Sequence, residues 1–113
     1  MSRDYRLFLE DILTCCERIL SYTGDLSFED FTDNHLVYDA VLRNIEIIGE
    51  AAKNIPDDQR EIYASIEWRK LAGLRGITAH QYFSLHDEII WDVIQNKISP
   101  LLGQISSILS QEE

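Results

Sequence analysis

Arg75, His80 and Tyr82 are the residues of this chain whose types and spacing could do chemistry together. They lie in the segment 68–86, WRKLAGLRGITAHQYFSLH, which holds three of the ten Lys and Arg residues and no acidic residue. The whole chain carries twenty Asp and Glu residues and a net charge of −10. A cationic segment on an acidic protein is a candidate anion-binding site. We call residues 68–86 the cationic strip.

These three side chains suit phosphoryl chemistry on RNA. RNA supplies its own nucleophile, the 2′-hydroxyl. An imidazole such as that of His80 titrates near neutrality and can accept or donate a proton. The planar donors of Arg75 can bind a phosphate while negative charge builds up in the transition state. The strip contains no clustered carboxylates and no Cys/His ligand spacing, so neither a metal site nor a cofactor is predicted. The plain alternative is a surface cation beside a half-buried histidine.

The spacing constrains the local fold. Arg75 and His80 are five residues apart, so a straight helix would place them about 140° apart around its axis. Either the helix ends near Ala79 and His80 turns back, or the arginine of one chain meets the histidine of a second. Tyr82 follows Arg75 by seven residues, about two helical turns, and would lie on nearly the same face.

The elements that must position the strip are helices. Apolar residues make up 45% of the 113 residues, and only five Gly and two Pro occur. These features favour a single domain, residues 1–113, of the all-α class: a helical bundle of four to five helices. Apolar periodicity predicts helical segments at 4–23, 34–54, 57–63, 67–79 and 87–110, with a short turn after Ser27. Gly49 inside the second long helix indicates close helix packing, and Pro100 must kink or split the last helix.

Charge and composition also limit the setting. The acidity argues against general, tight binding to nucleic acid, so an RNA contact must be local or come from two paired strips. Broad apolar stripes on the long helices indicate a homodimer. Cys15 and Cys16 are adjacent and cannot easily bridge each other, and one of them is expected to face the core. No secretory signal or long apolar run is visible, which predicts a cytoplasmic protein with no membrane contact.

Two long blocks and a short one resemble a known family. YDAVLRNIEIIGEAAKNIP at 38–56, IEWRKLAGLRGITAHQYF at 66–83 and IIWDVI at 89–94 are similar to the HepT-like family of HEPN-domain proteins. Its members are the toxins of the HepT/MNT (type VII) toxin–antitoxin modules. The resemblance implies a HEPN-like bundle that dimerises, and a metal-independent endoribonuclease with RNA as its substrate.

The resemblance also implies residue roles. Arg75 and His80 fall on the family's catalytic pair. Tyr82 falls on the motif tyrosine, where the partner nucleotidyltransferase antitoxin attaches AMP and silences the toxin. Gly76 stands where the family commonly has Asn or another polar residue, which predicts cleavage that is weaker than in typical members or lost. The competing hypothesis is a non-catalytic helical module that binds a nucleotidyltransferase and offers the strip as a docking and modification surface.

Overall fold

The computed structural model describes residues 4–79 and 87–112, and every regular element in these two ranges is an α-helix. Four of the helices are long, with 19, 19, 10 and 15 residues, and the others have five or six. In chain order the helices are α1 (Tyr5–Thr23), α2 (Phe28–Asp33), α3 (His35–Lys53), α4 (Asp57–Ile62), α5 (Trp68–Ala72), α6 (Leu74–Ala79), α7 (Asp87–Asn96) and α8 (Ile98–Glu112). The predicted all-α class is confirmed.

Local polar contacts fix where the early helices begin and end. The Ser27 hydroxyl accepts a hydrogen bond from the backbone N–H of Asp30 at 3.1 Å and thereby caps α2. The Asn34 side chain accepts one from the N–H of Val37 at 3.1 Å and caps α3. Gly24 ends α1 with a positive φ of 36°. A residue without a Cβ adopts that backbone at little cost. The predicted boundaries of α1 and α3 are therefore confirmed to within one residue.

Two predicted helices are each divided in two. The segment predicted at 67–79 breaks at Gly73, which separates α5 from α6. The last helix breaks at Lys97, three residues before Pro100. A proline ring clashes with the carbonyl four residues earlier, here that of Asn96, the last residue of α7. A kink or a split at Pro100 was expected; the structure has a split, and its position follows from this clash.

Helix α3 is central to the packing because it contacts α1, α2, α5 and α6, while α8 packs against α1 and α7. Both Cys15 and Cys16 are buried, although one had been expected to face the core. Helix α1 packs against both α3 and α8, so neighbouring positions on it are covered. None of the described helices is long and apolar enough to cross a membrane. The largest fully buried side chains are Phe31, Leu9, Ile12, Ile19, Ile45, Ile48, Ile90, Ile98, Ile105, Val41 and Cys16.

Candidate active site

Arg75 is the member of the predicted site that the structure describes. It is the second residue of α6, and its side chain is 56% exposed. His80 and Tyr82 lie outside the described residues, so the predicted Arg75–His80 and Arg75–Tyr82 arrangements stay predictions. Helix α6 is described up to Ala79, the residue before His80.

Gly49 of α3 brings the backbone of Arg75 close to the central helix. A Cβ atom built on Gly49 would lie 3.0 Å from the Arg75 nitrogen, 3.3 Å from the Arg75 Cβ and 3.3 Å from the Ala72 carbonyl oxygen. Two of these three neighbours are backbone atoms, which cannot rotate away. The absence of a side chain at Gly49 therefore sets how near α5 and α6 approach α3. The interpretation of Gly49 as a close-packing residue is confirmed.

The next residue of α3, Glu50, holds the side chain of Arg75. Its Oε2 accepts a hydrogen bond from Nη1 of Arg75 at 3.0 Å, within ion-pair distance. The Glu50 side chain is 51% exposed, so both partners are in contact with solvent. Glu50 is not among the site residues that the sequence predicts. The two residues are 25 positions apart and meet only because α3 and α6 pack together, so no local spacing could have indicated the contact.

The cationic strip is less cationic than its composition indicates. Lys70 forms an ion pair with Glu67, with Nζ 2.8 Å from Oε2, just outside the strip. This hydrogen bond lowers the pKa of Glu67 and raises the pKa of Lys70, so both stay charged. Arg75 forms an ion pair with the carboxylate of Glu50. Two of the three positive side chains of the strip therefore have a carboxylate partner, which weakens the attraction of the strip for an anion at a distance.

An aromatic cluster lies where the chain re-enters the described part at Asp87. The Tyr38 hydroxyl of α3 donates a hydrogen bond to Oδ1 of Asp87, the first residue of α7. Burial and this hydrogen bond raise the pKa of Tyr38. Phe31 stacks against both Tyr38 and Trp91, with ring centroids 5.2 and 5.4 Å apart. Tyr38 and Trp91 thus pack against the hydrophobic core.

Trp68 has the same structural role at the start of the strip. It is 5% exposed, and its indole N–H donates to the carbonyl of Tyr63 at 3.1 Å. His86 and Phe83 lie outside the described residues. The indole therefore anchors the first turn of α5 in the core, which fixes the strip where it begins.

Two cavities in the described part of the chain are not lined by Arg75. A groove of about 410 Å³ runs between α5 and the α7–α8 pair and includes Leu71, Leu74 and Lys70 on its wall. A smaller one, about 170 Å³, lies between α1 and α3 and includes Glu46 and Glu50. No group of three or more His, Cys, Asp or Glu in residues 4–79 and 87–112 is arranged to hold a metal ion.

Comparison with known proteins identifies the family. The profile described as "Ribonuclease HepT-like" matches residues 12–108 of this chain. The chain belongs to this family. The resemblance inferred from the three sequence blocks is thereby confirmed, and with it the HEPN-like all-α fold and the ribonuclease class. The match includes Gly49, Glu50 and Arg75 as well as the undescribed end of the strip.

Several relatives match almost end to end. A Methanocaldococcus jannaschii protein is 38% identical over 111 residues, which cover 98% of this chain and 92% of the relative. One from Caldanaerobacter subterraneus subsp. tengcongensis is 39% identical, covering 96% of each chain. Both are named as inferred RNases. A third, from Thermococcus cleftensis, is named as an inferred ribonuclease HepT; it is 36% identical, covering 96% of this chain and 98% of the relative. No solved structure matches the chain.

Proposed function

We propose that this HepT-like protein is a metal-independent endoribonuclease that acts as the toxin of a toxin–antitoxin module. The observation that carries the proposal is the family match over residues 12–108, which includes the whole Arg75–His80–Tyr82 motif. Supporting it, Arg75 is half exposed and is set at a close approach between α6 and the central helix. An exposed guanidinium on a fixed backbone is suited to binding a phosphate.

In the proposed reaction, His80 takes the proton from a 2′-hydroxyl of RNA, and the 2′-oxygen attacks the adjacent phosphorus. The bond from phosphorus to the 5′-oxygen breaks, and that oxygen receives a proton. The products are a 2′,3′-cyclic phosphate and a 5′-hydroxyl. Arg75 stabilises the extra negative charge on the phosphoryl oxygens in the transition state.

We also propose that the active form is a homodimer with two strips facing one cleft. Three apolar side chains on the described surface are unusually open: Leu36 is 86% exposed, Ile62 65% and Ile89 47%. Burying such side chains favours association. Pairing two strips also raises the local positive charge on a protein of net charge −10. Light scattering at micromolar concentration is expected to give twice the 13.1 kDa chain mass, and a strictly monomeric result would contradict the dimer.

Tyr82 is the proposed control point. A cognate nucleotidyltransferase antitoxin of the MNT type would transfer AMP to its phenol oxygen, which displaces pyrophosphate from ATP and leaves a phosphodiester on the ring. The new anion would compete with RNA phosphate for Arg75, and the adenosine would occupy the cleft. This partner and this modification follow from the family resemblance together with the position of Tyr82 in the motif.

The alternative is a non-catalytic helical binding partner of a nucleotidyltransferase. The ion pair between Arg75 and Glu50 favours it, because a purely structural surface arginine commonly has a carboxylate partner. Both hypotheses expect a nucleotidyltransferase partner, but only the toxin hypothesis expects growth arrest on expression of this chain alone. His80→Ala should relieve that arrest.

The direct test is cleavage of a labelled single-stranded RNA by the purified protein in EDTA. Wild type is expected to produce ends with a 2′,3′-cyclic phosphate, while Arg75→Ala and His80→Ala lose about a hundredfold or more in rate. Arg69→Ala is the matched control, since it removes the same charge from the strip at an exposed position of α5. Activity that disappears in EDTA and returns with Mg²⁺ would overturn the mechanism. Equal losses of cleavage rate in all three variants would mean that Arg75 contributes only its positive charge and has no specific catalytic role.

A further inference from the structure

Two consecutive residues of α3, Gly49 and Glu50, contact Arg75 in different ways. Gly49 lets the Arg75 backbone approach, and Glu50 contacts the guanidinium from the same turn of the helix. Gly49 and Ala51 on either side of Glu50 are buried, so the backbone that carries this carboxylate is fixed in the core. The arginine side chain has several rotatable bonds and would otherwise sample many positions.

We infer that Glu50 is a positioning residue for the ribonuclease reaction and acts through Arg75. Its carboxylate holds the guanidinium in one orientation before RNA arrives, so that less ordering remains to be done in the transition state. This inference rests on the proposed nuclease function and adds to it a residue on α3, outside the strip.

Contribution to stability is a poor explanation for the contact. Both side chains are about half exposed, and exposed ion pairs contribute little because water screens them and two long side chains must be ordered. A helical, exposed glutamate can be replaced by alanine with no loss of helix propensity. Removing Glu50 should therefore leave the fold intact, and any large loss of activity would have to come from the site.

A second role, masking, makes the opposite prediction. If Glu50 only competed with RNA for Arg75, its removal would lower KM and leave kcat unchanged. The weakness of an exposed pair limits that effect to about fivefold in KM. Positioning instead affects kcat, because the developing charge on the phosphoryl group is present in the transition state and a misplaced donor stabilises it less.

The test uses the full-length protein and a labelled single-stranded RNA. Glu50→Ala is expected to lower kcat about twofold to fivefold, the most that an exposed pair can supply, with KM within about twofold of wild type. Glu50→Gln keeps an oxygen acceptor at the same length and should recover part of kcat. The matched control is Glu46→Ala, one turn earlier on α3, which removes the same charge from a carboxylate that pairs with Arg43 at 3.3 Å. This control should leave kcat unchanged.

A double-mutant cycle shows whether Glu50 acts through Arg75. In an Arg75→Ala background, measured under single-turnover conditions, adding Glu50→Ala should cause no further loss. Independent, multiplicative losses would make Glu50 a separate catalytic group and overturn the inference. So would an unchanged kcat, a fall in KM alone, or an equal effect of Glu46→Ala.

The outcome also separates this inference from the function on which it rests. If wild type cleaves and loses activity with His80→Ala while Glu50→Ala behaves as wild type, the inference fails and the nuclease stands. If wild type does not cleave RNA, both fail. A readout that does not depend on RNA cleavage is the NMR signal of the Arg75 side-chain N–H groups. This signal should shift in Glu50→Ala and not in Glu46→Ala.

Discussion

Gly49→Ala adds one methyl group at the point where α3 meets α6. The new Cβ would lie 3.0 Å from the Arg75 nitrogen and 3.3 Å from both the Arg75 Cβ and the Ala72 carbonyl oxygen. Contacts at 3.4–4 Å would be ordinary, so the two helices must separate by a few tenths of an ångström. Alanine gains about 1 kcal/mol of helix propensity over glycine. Overpacking costs about 1–3 kcal/mol, so the net expectation is a destabilisation of about 0–2 kcal/mol.

Gly103→Ala is the matched control. Gly103 lies in α8 and is exposed, and among the described residues a Cβ there meets no atom within 4 Å. Only the propensity gain remains, so this variant should be stabilised by about 0.5–1 kcal/mol. The two substitutions change the same atoms in the same kind of element, and the difference between them isolates the close approach at Arg75.

Urea unfolding at one fixed protein concentration measures both variants, since a dimer would make stability depend on concentration. The rate of RNA cleavage reports the effect of displacing Arg75. A 1 Å misplacement can cost about a hundredfold, so a few tenths should lower kcat about threefold to tenfold in Gly49→Ala. Gly103→Ala should keep the wild-type kcat. If Gly49→Ala is stabilised as much as the control and keeps full activity, the close approach does not position Arg75.

Three other expectations concern Tyr82, Tyr38 and salt. Tyr82→Phe should fold, stay toxic and escape silencing by the nucleotidyltransferase; modification and neutralisation equal to wild type would remove Tyr82 as the switch. The pKa of Tyr38 is raised in the folded state, so its contribution to stability is present below the unfolded pKa of about 10 and is lost at higher pH. Urea unfolding should show Tyr38→Phe destabilised at pH 7, with the difference from wild type shrinking above about pH 10; a constant difference would contradict this. If each dimer uses its two Arg75 guanidiniums on phosphates, log(kcat/KM) should fall with log[salt] with a slope of about −1.4, and one steeper than about −4 would indicate bulk attraction.

The helices could be predicted from the sequence because their signals are local. Ser27 and Asn34 cap the helices that follow them through contacts three residues along the chain. Gly24 ends α1 because its backbone adopts a positive φ. The break near Pro100 follows from covalent geometry alone. Each of these features involves residues close together in the chain, and the apolar periodicity between them needs no knowledge of the fold.

Features that depend on which helices meet could not be predicted in the same way. Both Cys15 and Cys16 are buried because α1 contacts α3 along one part of its surface and α8 along another. Burial raises the pKa of these thiols to about 11 and about 12, so they remain protonated at neutral pH. The contact between Arg75 and Glu50 could not be predicted for the same reason, because the two residues are 25 positions apart in the chain and meet only through helix packing.

The ion pairs change how an acidic protein can act on RNA. By composition the strip carries three positive charges, yet Lys70 is paired with Glu67 and Arg75 with Glu50. With two of its three charges compensated, the strip would attract RNA less strongly from a distance and would bind cellular RNA less indiscriminately. The hydrogen-bond donors of such a site keep a fixed orientation. For stabilisation of the transition state, the orientation of the donors contributes more than the net charge of the surface. A carboxylate beside the proposed catalytic arginine is thus compatible with catalysis. It weakens the binding of the RNA substrate, but it orients the guanidinium toward the reacting phosphate.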